Sequence, residues 1–79
     1  MDSIICFAEE QGWKVVLKDE FQRLIRICLD ETRIDIWDSP KKGITVGLYE
    51  KNKKAIYKRC VRQDELKELL VDTNYIKEI

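Results

Sequence analysis

From Trp13 to Val61 the apolar residues recur at every second position, in short runs separated by polar or turn-forming stretches. A period of two belongs to strands with one buried face, and it commits this stretch to a sheet rather than a helical bundle. Trp13, Val15 and Leu17 alternate with Lys14, Val16 and Lys18. After the polar break Lys18-Asp19-Glu20, Ile25, Ile27 and Leu29 alternate with Leu24, Arg26 and Cys28. The run Gln22 to Leu29 also fits a helical period through Leu24, Ile25, Cys28 and Leu29, so helix is its alternative. Its shortness, its isoleucines and the two-residue turn expected at Asp30-Glu31 favour strand.

Thr32 to Trp37 sets Ile34 and Ile36 against Arg33, Asp35 and Trp37. Asp38-Ser39-Pro40-Lys41-Lys42-Gly43 is the strongest turn signal in the chain. Beyond it Ile44, Val46 and Leu48 alternate with Thr45, Gly47 and Tyr49, Glu50 to Lys53 reads as a charged hairpin tip, and Lys54 to Val61 as the last strand. A three-residue loop at that tip puts Ile56 and Cys60 on the face of Ile44, Val46 and Leu48, with Tyr57 and Arg59 beside Tyr49.

Helical signals flank this region. Asp2 or Ser3 can cap a first helix whose Ile4, Phe7 and Ala8 share one face, and Gly12 suits the left-handed position past its end. A second helix starts near Gln63, with Val61 and Leu66 at staple positions, Asp64 and Glu65 in the first turn, and a stripe of Leu66, Leu69 and Leu70. Tyr75, Ile76 and Ile79 either extend the core or dock on a partner. The expected fold class is α+β: a short N-terminal helix, an antiparallel meander of four to five strands and a C-terminal helix, in a single domain spanning residues 1–79. A chain of 79 residues supports one core and no interdomain cleft.

The residue inventory removes several chemistries. Histidine is absent, and Ser3 and Ser39 are the only serines, so neither a Ser-His-Asp nor a Cys-His arrangement can form. Cys6, Cys28 and Cys60 are scattered and cannot supply the four ligands of a zinc site; they read as reduced thiols of a cytoplasmic protein. Gly12, Gly43 and Gly47 match no phosphate-loop spacing, and no cofactor is expected. Asp35, Asp38 and Glu50 are the one carboxylate set that could be imagined around a metal, but their spacing fits a charged hairpin better, so an enzyme is not expected. The longest uncharged apolar run, Ser3 to Ala8, is far short of the roughly 20 residues of a membrane span, and the start Met1-Asp2 lacks the basic segment of a signal peptide.

Charge is the sharpest functional signal. The chain is formally neutral, with fifteen basic and fifteen acidic residues, yet residues 41–62 carry eight basic residues against Glu50 alone. Lysines at turns can meet phosphates, and aromatic rings between them can stack on unpaired bases. The expected surface comprises Arg33, Trp37, Lys41, Lys42, Tyr49, Lys53, Tyr57, Lys58 and Arg59, with single-stranded nucleic acid as the partner. Gly47 would let a base approach the backbone. A competing expectation is that the lysines only protect an edge strand and the tyrosines only pair across strands. If both helices cover one sheet face, Val16, Leu24, Trp37, Tyr49 and Tyr57 are left on the other, an apolar patch that something should cover. That leads to the alternative of a homodimeric adaptor or inhibitor module, with an acidic protein as a further candidate partner.

Overall fold

The first helix ends where Gly12 allows it to. In a computed structural model, which describes residues 2–79, α1 spans Asp2–Glu10 and Gly12 follows at φ 96°. The Gly12 and Trp13 N–H groups donate to the Glu9 and Ala8 carbonyls, each at 3.0 Å, which closes the helix as a Schellman motif. Trp13 is thereby turned inward, and its indole Nε1 donates to the Leu70 carbonyl at 2.9 Å. This buried bond joins the start of the sheet to the far helix.

Five strands follow: β1 Lys14–Asp19, β2 Leu24–Leu29, β3 Thr32–Ser39, β4 Gly43–Glu50 and β5 Ile56–Val61. They form one antiparallel sheet in the order β1-β2-β3-β4-β5. The protein is thus an α+β fold, and residues 24–29 are strand. Asp30, at φ 54°, supplies the left-handed residue in the two-residue β2–β3 turn. Ile25, Ile27, Ile34, Ile36, Val46 and Leu48 line one face, as the alternation requires, and Ile4, Ala8, Leu66, Leu69, Leu70 and Ile76 join them in a single core. No helix among the described residues is long and apolar enough to cross a membrane.

Helix α2, Gln63–Val71, begins after Arg62. An arginine offers no acceptor for a cap, so the turn depends on the Glu65 carboxylate accepting from the Arg62 backbone N–H at 3.0 Å. Val61 and Leu66, both buried, make the expected staple. A short 3-10 helix, Thr73–Lys77, buries Ile76 and packs Tyr75 and Ile79 against the core, so the tail extends the core.

Two details depart from strict alternation. An extra residue, Val16, sits between Val15, opposite Ile27, and Leu17, opposite Arg26, so Leu17 lies on the opposite face from Val15. On β5, Ile56 does oppose Leu48, but Arg59 and Cys60 together face Thr45, and Val61 rather than Cys60 reaches the core beside Ile44. Cys60 is exposed at φ 59°. Both are β-bulges, and both lie on edge strands, where a bulge discourages pairing with another chain.

Candidate nucleic-acid interface

With both helices on the isoleucine face, the other face of the sheet has no helix over it. Its centre is an ionic and aromatic network. Asp35 is only 2% exposed although it points away from the core. Arg26, opposite it on β2, donates to both carboxylate oxygens, from Nε at 2.9 Å and from a terminal nitrogen at 3.2 Å. This bidentate bond to Asp35 raises the Arg26 pKa above its ordinary value. Arg33 Nε lies 3.5 Å from the same carboxylate without a hydrogen-bond partner, and the Arg33 guanidinium stacks 4.1 Å from the centre of the Tyr49 ring.

Gly47 faces Asp35 from β4 and Tyr57 from β5. A Cβ at Gly47 would lie 3.1 Å from the Tyr57 ring and 3.2 Å from that of Tyr49. The space expected for an approaching base is therefore filled by the protein's own tyrosines. The two rings meet edge to face at 5.8 Å between centres, and their hydroxyls share a hydrogen bond of 2.8 Å. That bond, then burial, raises the Tyr49 pKa. Tyr49 is half-buried, whereas Tyr57 stays 56% exposed. The face is consequently not a broad bare apolar patch: Leu24 is buried beside its cross-strand partner Trp37, which is itself half-buried, and Arg26 and Arg33 occupy the middle.

The basic block divides between the two ends of the sheet, roughly 20 Å apart along a six-residue strand. At the β4–β5 tip, Lys51 pairs with Glu31 at 3.4 Å and Lys53 with Glu50 at 3.8 Å. At the other end are Lys41 and Lys42 in the β3–β4 turn and Arg59 in the β5 bulge, brought together by the pairing of Ser39 with Gly43 and of Ile44 with Val61. Among the described residues, Lys41, Lys42, Lys58 and Arg59 form no ion pair. Trp37, opposite Thr45, lies at this same end of the open face. Lys58 opposes Val46 and so lies on the helix side of the edge strand, away from Tyr57.

Charge is also layered. Residues 2–10 and 63–79, the helical layer, hold eight acidic and two basic residues, whereas 13–62 hold seven acidic and thirteen basic. The field is therefore positive on the sheet side and negative behind it. The carboxylates Asp35, Asp38 and Glu50 are not assembled: Asp35 is on the open face, while Asp38 and Glu50 take the opposite parity at opposite ends of the sheet. Asp38 is occupied by Arg23 at 3.8 Å.

Three residues of this surface stand outside the sequence-based expectation. Arg26 and Asp35 form the buried pair, whose signal is opposite charges at alternating positions of two strands joined by a short turn. Phe21, in the β1–β2 turn, is 97% exposed, and its signal is an aromatic residue amid polar turn residues. No family model matches this chain, and no curated protein or solved structure matches it.

Proposed function

We propose that this protein binds single-stranded nucleic acid on the open face of its sheet, at the end bearing Trp37, Lys41, Lys42 and Arg59. The observation that carries the reading is the gathering there of basic side chains with no acidic partner, beside Trp37 and near the exposed ring of Tyr57. Phosphates would meet Lys41, Lys42 and Arg59, and bases would stack on Trp37 and Tyr57. A duplex hides the faces of its bases, so a stacking surface favours single strands. The acidic helical layer would keep a polyanion to the one side. Lys53 contributes less, because Glu50 already pairs with it.

The reading is of a binder, not a catalyst, acting in a reducing, cytoplasmic setting that suits the three free thiols. Its test is a titration of single-stranded and duplex oligonucleotides against tryptophan fluorescence at about 50 and 200 mM salt. Three phosphate contacts, at roughly 0.7 each in the slope of log affinity against log salt, predict single-strand binding that weakens by about one decade across that range. Absence of binding at the lower salt would reject the reading and leave the alternative, an acidic protein bound to the same surface.

A further inference from the structure

We propose that Phe21 is a base-stacking residue of this interface, an inference that rests on the reading above. Its ring is 97% exposed, yet its backbone is fixed. Asp19 Oδ1 accepts from the N–H groups of Phe21 and Gln22 at 3.0 and 3.1 Å. Arg23, at φ 56°, closes the turn: its carbonyl accepts from the Asp38 N–H at 3.0 Å and its Nε donates to the Asp38 carbonyl at 2.7 Å. A rigid turn thus holds an apolar ring in water, where stacking on a ligand would order little that is not already ordered.

The position of the turn selects the ligand. The β1–β2 and β3–β4 turns lie at the same end of the sheet, two strand spacings or about 10 Å apart. Phe21 therefore stands at one side of Trp37 and Lys41-Lys42 at the other. Acidic residues near Phe21 are already occupied: Asp19 by the turn itself, Glu20 by Lys18 and Asp38 by Arg23. The remaining aromatic residues behave differently. Trp13 is buried in the core, and Phe7 and Tyr75 pack against it. The lysine turn, Trp37 and the β1–β2 turn thus follow one another across the same end of the sheet, and every base offers a face for stacking on a ring held in water there.

The test uses Phe21→Ala and Phe21→Trp in the full chain, with anisotropy of a labelled oligothymidylate of about twelve nucleotides and, as a base-free polyanion, dextran sulfate. Loss of one stacked base predicts that F21A binds the oligonucleotide roughly 5- to 150-fold more weakly with an unchanged salt slope, and that F21W retains affinity. Dextran sulfate should bind F21A and the wild type alike. Equal oligonucleotide affinity of F21A and the wild type would overturn the role of Phe21 and leave the interface standing. A matching loss for dextran sulfate would overturn stacking in favour of a structural effect. Failure of the wild type to bind the oligonucleotide would remove the interface and this role together.

Discussion

Asp35 and Gly47 face each other across β3 and β4, and the missing side chain at Gly47 is what lets Tyr49 and Tyr57 close over that point of the sheet. A methyl group there would approach the Tyr57 ring to 3.1 Å and the Tyr49 ring to 3.2 Å. Tyr57 is the more exposed ring and would be the one to swing away. Gly47→Ala is therefore expected to cost about 1 kcal/mol in a urea melt, the low end of overpacking. It should also break the tyrosine hydrogen bond.

The ion pair beneath those rings is unequal in its exposure. Asp35 is buried, whereas the Arg26 side chain remains about one-third exposed. Arg26→Ala leaves a buried carboxylate with only the 3.5 Å approach of Arg33. Removing one partner of a buried pair is strongly destabilising, and the exposure of the Arg26 side chain lets solvent screen part of that loss, so a clear drop in stability is expected. The double substitution Arg26→Met with Asp35→Leu should recover most of it, as equilibrium unfolding of the three variants would show.

The tyrosine pair gives a pH signature. Tyr49 is raised above its ordinary value, first by the hydrogen bond to Tyr57 and then by burial, so the fold favours its neutral form. The stability gained is fully present below the unfolded-state tyrosine pKa near 10 and is lost as pH rises through the folded-state value. Absorbance titration of tyrosinate should show one late-ionising tyrosine. In Tyr57→Phe that ionisation should move back toward pH 10, because the larger cause is gone.

Trp13 and Leu70 lie 57 residues apart in sequence and are joined by one buried hydrogen bond. Trp13→Phe keeps an aromatic ring but leaves the Leu70 carbonyl without that donor. The expected cost is about 1–3 kcal/mol, measured by thermal or chemical denaturation.

Much of this architecture is legible in the sequence because one face of every strand must be buried. Ile25 and Ile27, Ile34 and Ile36, and Val46 and Leu48 declare their face by alternation alone, and Gly12 and Val61 mark helix boundaries through local chemistry. The bulges are not legible in the same way. One extra residue at Val16 or at Arg59-Cys60 reverses every facing assignment beyond it, and no residue type in either run announces it. Cys60, with φ 59°, is not a residue that favours a left-handed position. The candidate site was readable as composition and not as geometry. Residues 41–62 are basic in sequence, but only the hairpin register separates a tip where Lys51 and Lys53 are paired from an opposite end where Lys41, Lys42 and Arg59 are not, and only the meander brings the Phe21 turn to the side of Trp37.

That division leads to the most direct test. The variant K41Q/K42Q/R59Q removes three unpaired charges, and K51Q/K53Q/K54Q removes the same number from the tip. Affinity for a single-stranded oligonucleotide would be measured for each across a series of salt concentrations. The first variant should lower the slope of log affinity against log salt by about 2, at roughly 0.7 per phosphate contact, while the second leaves it nearly unchanged. Equal losses from both variants, or a larger loss from the tip, would contradict the assignment of the interface to the Trp37 end of the open face.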